Sequence, residues 1–338
     1  MDVRALRYRV SFRNGSDQLE GDLVLPSGGG PHPVAVLVGG TGGMRDRGRW
    51  IEDLALLGLA TLTWDSPGWG DSLGMRRWQA PDERTLEVTA AVQFLATVPE
   101  ISPHGIGVIG ADAGAWAAVL AAALTPQIRA AVLLSPPCTD PHGQELVRLG
   151  QRLAGQGFTG AEVGLAQLVL RERLRRLAAG WDAVSILQAE APCRPTEWYG
   201  WLPGTTVPQL QAFASLAEYE PASLLASLAC PVLAVFGADD PATSAWANAQ
   251  ALREALTHAP GDDHHLMILP RTDRAYLPAG APGWTGPRPP GDWQLDVVGC
   301  IGDWLAPRLA RYRWAAPRPG VPVTPGGGVA LIPVPRAG

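Results

Sequence analysis

Residues 107–116 read GVIGADAGAW. An apolar run ends in a glycine, an aspartate follows two positions later, and a second glycine opens an Ala-rich helical pattern. A strand, a tight turn and a helix in that order display one residue at their apex, and here it is Asp112. The same spacing with serine, G-x-S-x-G, displays a nucleophilic hydroxyl. Asp112 has no hydroxyl. Its carboxylate suits proton transfer as a general acid or base, or the binding of a polar substrate group.

An apex residue needs a rigid sheet beneath it. The opening LRYRVSFRNGSDQLEGDLVLP alternates, turns at Asn14-Gly15 and alternates again, which predicts a β-hairpin. Short continuous apolar runs follow at 33–40, 60–65, 105–110, 130–136, 231–237 and 265–270, as expected of strands buried on both faces. Helical patterns separate them at roughly 46–58, 82–98, 113–124, 243–257 and 293–312. Strand and helix in alternation predict an α/β protein with a mostly parallel, doubly wound sheet. Residues 138–228 break the alternation with amphipathic helix, AEVGLAQLVLRERLRRLAAG, and an aromatic knot, TEWYGWLPG. They read as a helical cap inserted after the sixth strand. The core then comprises 1–137 and 229–314, and a Pro/Gly-rich tail runs over 315–338.

The bulk composition narrows the function classes. With 338 residues and 46% hydrophobic content, the chain can bury one large core plus an insertion. A net charge of −5 with no basic patch argues against nucleic acid, and no polybasic run argues for a membrane surface. The first ten residues, MDVRALRYRV, are charged and alternating, unlike a secretory leader, so the expected location is cytoplasmic. Cys138, Cys193, Cys230 and Cys300 lie far apart without metal-ligand spacing and read as free thiols. No metal or organic cofactor is implied, and the expected partner is a small-molecule substrate, with a homodimer left open. All 27 basic residues are arginine, and glycine and proline are abundant, with 40 and 32 copies. That bias points to a very GC-rich coding sequence, as in actinobacteria.

Several segments together resemble the α/β-hydrolase superfamily, in particular its dienelactone-hydrolase-like and cap-bearing esterase branch. The resemblance covers about residues 8–312. VLVGGTGG resembles the oxyanion-loop segment usually read H-G-S-G, and WDSPGWGDS resembles the D-x-R-G-x-G-x-S segment after strand four. Residues 107–116 resemble the strand-five elbow. YEPASLLASLACPVLAVFGADDP resembles the strand-seven segment that delivers the catalytic acid, with Asp240 at the acid's position and Asp239 beside it. The histidine segment after strand eight, usually like P-G-x-x-H, reads LPRTDRAYLP and places Arg274 at the histidine. The resemblance therefore implies Asp112, Asp240 and Arg274 where the family has Ser, Asp and His. Backbone N–H groups of Thr41 and Ala113 would form the oxyanion hole. Trp198, Tyr199 and Trp201 would either roof a substrate pocket or pack the cap. Of six histidines, only His142, at the start of the cap, stands where it would face the site.

Arginine, with a pKa above 12, cannot serve as a base. Ordinary acyl-enzyme chemistry is therefore closed. The altered set keeps the family's net charge of −1, so the two replacements compensate, and a guanidinium bridging Asp112 and Asp240 is the expected arrangement. Proton abstraction next to a carbonyl, with enolate stabilisation and then elimination (of acetate, for example) or ring closure, fits that equipment. Fold relatives of this kind tailor polyketides, which suggests specialised bacterial biosynthesis. Two rival readings stand beside it. In one, Asp112 is a nucleophile, as in the superfamily's dehalogenases and epoxide hydrolases, with His142 as base. In the other, the protein is an inactive relative that binds or scaffolds.

Overall fold

The computed structural model describes residues 5–39, 48–75, 79–139, 141–215, 221–240, 244–272, 297–311 and 332–333. The hairpin forms as the alternation requires. Strand β1 (Leu6–Asn14) and β2 (Asp17–Leu25) pair antiparallel, and Gly15 turns at φ 60°. The buried runs become β3 (His32–Val38), β4 (Ala60–Trp64), β5 (Ile101–Ala111), β6 (Ile128–Leu134), β7 (Val232–Gly237) and β8 (His264–Leu269). A short β9 (Ile332–Pro333) pairs with β1. The sheet order is β8-β7-β6-β5-β3-β4-β2-β1-β9, with β3 through β8 parallel. This is the α/β-hydrolase fold.

Two apolar layers sandwich the sheet. On one face lie α2 (Pro81–Leu95), α3 (Gly114–Leu124) and α9 (Ala245–Leu256), contributing Val88, Leu95, Trp116 and Leu252. On the other lie α1 (Gly48–Leu56) and α10 (Val297–Ala310), contributing Ile51, Leu54, Ile301 and Leu305. Trp116, on α3, is part of the core.

Between β6 and β7 the chain forms α4 (Pro141–Gly155), α5 (Gly160–Ala178), α6 (Ala183–Ala189), two 3-10 turns (Ala191–Cys193 and Glu197–Trp201), α7 (Val207–Ala214) and α8 (Pro221–Leu225). A third apolar cluster holds α4 to α7 together through Leu149, Leu153, Leu170, Ile186, Leu210 and Phe213. The cap thus has a core of its own. Leu225 and Leu228 instead join the first sheet layer, so the last part of the excursion already packs against the body. Thr159 starts α5 with a capping box: its hydroxyl accepts from Glu162 N–H, and the Glu162 carboxylate accepts from Thr159 N–H.

Candidate active site

The chain runs from β3 outward to β4 and then returns to place β5 on the other side of β3. Such a reversal opens a crevice at the C-terminal strand ends, where ligands of open α/β sheets gather. Asp112 follows β5 at that edge. Its φ of 58° lies in the left-handed region, which non-glycine residues enter at a cost of about 1–2 kcal/mol. The turn is locked on all sides. Asp112 N–H donates to the Leu134 carbonyl at 2.9 Å, and Ala115 N–H donates to the Asp112 carbonyl at 3.0 Å.

Both glycines of the elbow are sterically required. A Cβ on Gly110 would lie 2.7 Å from Ala115 Cα and 2.7 Å from the Gly114 carbonyl oxygen. One on Gly114 would lie 2.3 Å from the Gly39 carbonyl oxygen and 2.5 Å from that of Val38. Helix α3 therefore starts pressed against the end of β3.

A guanidinium covers that carboxylate. Arg148, on the first cap helix α4, donates from Nη2 to Asp112 Oδ1. The Arg148 side chain is 15% exposed and that of Asp112 25%. The ion pair continues outward: Arg148 lies 3.7 Å from Glu145, which also pairs with Arg152 at 2.5 Å. From the sequence, an Arg274 guanidinium bridging Asp112 and Asp240 is expected; Arg274 lies outside the described residues. Sequence reasoning missed Arg148. The available signal was positional: α4 leaves the sheet at the same edge that presents Asp112, the argument that singled out His142.

Of the other expected residues, Asp240 is buried in the turn after β7, whereas Asp239 is exposed. That turn is fixed by Asp239 N–H donating to the Thr272 carbonyl at 3.0 Å and Ala238 N–H to that of Leu269 at 2.9 Å. Ala113 caps the N-terminus of α3, where backbone N–H groups are not consumed within the helix and the helix dipole favours negative charge. Thr41 lies outside the described residues. His142 falls in the first turn of α4; its side chain is outside what is described. Trp198 and Tyr199 are buried in the cap's own cluster, and Tyr199 Oη donates to Glu190 Oε2 at 3.0 Å. Trp201 is exposed. His32 opens β3, His104 lies early in β5, and His264 and His265 open β8, all toward the N-terminal strand ends. His258 is exposed beyond α9.

The WDSPGWGDS segment is a tightly braced turn at the end of β4. Trp64 Nε1 and Ser66 Oγ donate to Glu87 Oε2 at 2.7 and 3.2 Å. Asp71 N–H donates to Asp65 Oδ2 at 3.2 Å. Gly70, at φ 51°, passes so close to the Asp65 carboxylate that a Cβ would lie 2.0 Å from Oδ2. A separate pocket of about 470 Å³ opens at the far end of the sheet, between Gly30, His32, Ser102 and Leu309. Among the described residues no group of three or more His, Cys, Asp or Glu side chains is arranged to hold a metal ion, and no helix is long and apolar enough to cross a membrane.

Residues 2–144 match the family model described as FrsA-like, esterase FrsA-like. The 2,6-dihydropseudooxynicotine hydrolase of Paenarthrobacter nicotinovorans is 32% identical over 109 residues, which is 32% of this chain and 29% of that protein. An uncharacterised protein of Pseudomonas aeruginosa is 34% identical over 138 residues, 39% of this chain and 37% of its own length. This chain thus aligns with only about a third of each of these relatives. Among solved structures, the dienelactone hydrolase of Anabaena variabilis superposes with a TM-score of 0.51 at 17% identity, covering 91% of this chain and 99% of that one. That likeness establishes the shared fold.

Proposed function

We propose that this chain is a non-hydrolytic enzyme on the α/β-hydrolase fold, of the lyase or cyclase type, acting on a small carbonyl compound. The observation that carries the reading is the pairing of Asp112, at the apex of the elbow, with Arg148 of the cap. A carboxylate held at a strained apex under a guanidinium has the components for moving a proton between carbon and oxygen. Asp112 would take the proton from the carbon next to the substrate carbonyl. The electron pair released from that C–H bond forms the enolate, whose oxygen the Ala113 N–H and the start of α3 would stabilise. The pair then returns to expel a leaving group such as a carboxylate, or to attack a second carbonyl and close a ring. Arg148, beside Asp112, would receive the departing carboxylate. Asp112 returns its proton to the product or to solvent. Specialised biosynthesis of polyketide-like compounds in a GC-rich bacterium is the setting this chemistry suits.

The test is turnover of acyloxy-carbonyl and dicarbonyl compounds by the native chain, followed by Asp112→Asn and Arg148→Met. Each substitution should abolish turnover while the circular dichroism spectrum stays native. Near-normal turnover in both variants would defeat the reading.

A second reading has its own support. Asp112 holds a left-handed turn between strand and helix, the setting in which the G-x-S-x-G motif displays its nucleophile, and the relative from Paenarthrobacter is named a hydrolase. Asp112 would then attack carbon directly and form an ester, which a base on the cap such as His142 would help water to cleave.

A further inference from the structure

The Arg148–Asp112 pair joins the cap to the body, so something must fix the cap's first helix in register. Asn248, on α9, is 1% exposed and reaches the point where the chain leaves the sheet for the cap. Its Oδ1 accepts from Cys138 N–H at 2.6 Å and Thr139 N–H at 2.9 Å. The same oxygen also takes Thr139 Oγ1 at 3.2 Å and Gln144 Nε2 at 3.3 Å. Its Nδ2 donates to the Ser244 carbonyl at 2.9 Å. The orientation of the amide follows from its neighbours: two backbone N–H groups only donate and a backbone carbonyl only accepts, so oxygen and nitrogen have one satisfactory arrangement. Gln144 lies one helical turn before Arg148 on α4, and residues four apart share a helix face. The face tied to Asn248 is therefore the face that carries Arg148.

We infer that Asn248 is a positioning residue for the active site: it fixes the root of α4 and thereby sets the Arg148 guanidinium on the Asp112 carboxylate. The inference rests on the ion pair invoked under the proposed function, but not on the reaction. An apolar residue at 248 would leave the Cys138 and Thr139 N–H groups buried without that acceptor, and the entry segment would shift to find another. An aspartate keeps an acceptor oxygen toward Cys138 and Thr139, but it turns an oxygen instead of an N–H toward the Ser244 carbonyl and brings a charge into a buried position. No other residue type offers an oxygen and an N–H at that reach without lengthening the side chain.

The experiment is a thermal-melting cycle. Asp112→Asn, Arg148→Met and the double substitution are made in the native chain, in an Asn248→Ala background and in an Asn248→Asp background. In the native chain the double substitution should lower Tm by about 2 °C less than the sum of the two singles, the size expected for one coupled pair in a chain this long. In the Asn248→Ala background the effects should become additive. In the Asn248→Asp background the coupling should persist. Undiminished coupling with Asn248→Ala would overturn the assignment and leave the ion pair standing. Additivity in the native chain would overturn the ion pair itself, and the assignment with it. Should Asn248→Ala fail to melt cooperatively, Asn248→Ser, whose shorter neutral side chain also withdraws the acceptor, takes its place: undiminished coupling there overturns the assignment, and additivity supports it.

Discussion

Replacing Arg173 alone should unseat the cap more than replacing Arg173 and its partners together. The Arg173 side chain is wholly buried and that of Glu190 is 4% exposed. They form a two-pronged pair, Nε to Oε1 at 2.9 Å and Nη2 to Oε2 at 2.5 Å. Tyr199 Oη donates to the same carboxylate at 3.0 Å, and Arg173 Nη1 also donates to the Pro203 carbonyl. Arg173→Met leaves the carboxylate buried with only the phenol to offset it, a loss of about 3–5 kcal/mol. A unit of about 60–100 residues shifts by about 4–8 °C per kcal/mol, so a cap transition should fall by more than about 10 °C. Removing the whole set with Arg173→Met, Glu190→Leu and Tyr199→Phe takes the buried charges away and leaves mainly the Pro203 carbonyl in need of a donor, at about 1–3 kcal/mol. The triple variant should therefore melt above the single one. Scanning calorimetry separates the two. A single substitution that costs under about 1 kcal/mol, or a triple that melts below it, would refute the reasoning.

Three further outcomes follow from the structure. Gly114→Ala drives a Cβ into two backbone oxygens and should cost about 3 kcal/mol in urea unfolding, and an unchanged midpoint would show that the elbow has room. Burial raises the half-buried Cys230 thiol to about 11. The unfolded chain then releases the thiol proton first, so this group's stabilisation is complete below about pH 9 and declines as pH rises toward 11. Cys230→Ala should flatten that part of the Tm-against-pH curve, and an unaltered slope would assign it to other groups. Burial, and next the Glu190 carboxylate, likewise raise the Tyr199 phenol, so Tyr199→Phe should reduce the loss of stability above about pH 10; an identical alkaline limb would contradict it.

The body of the molecule was legible because local pattern and tertiary role coincide there. VLAVFG, short, apolar and β-branched, reads as a strand buried on both faces and is one, and Gly110 and Gly114 signalled the elbow because a strand-to-helix turn of that tightness admits no Cβ. The cap was legible as helix but not as surface. On α4 the spacing of Leu146, Leu149 and Leu153 identifies the apolar side, yet Glu145, Arg148 and Arg152 read equally well as a solvated run of i, i+3 and i+4 charges. Whether that face meets water or Asp112 depends on how the cap docks, which no local signal reports. The aromatic knot shows the same limit. Trp198 and Tyr199 fill the cap's interior, with Tyr199 set against the buried pair of Arg173 and Glu190, which lie 17 residues apart. That pairing becomes apparent only in three dimensions.

Asp112 as a proton carrier and Asp112 as a nucleophile differ in one atom's origin. Turnover in water enriched in oxygen-18, followed by mass spectrometry of the peptide that carries Asp112, reads that atom directly. Proton transfer leaves the carboxylate oxygens untouched, so the peptide mass should be unchanged after many turnovers. Heavy oxygen in the Asp112 side chain would mean that an ester had formed there and been cleaved by water, and the proposed chemistry would be wrong.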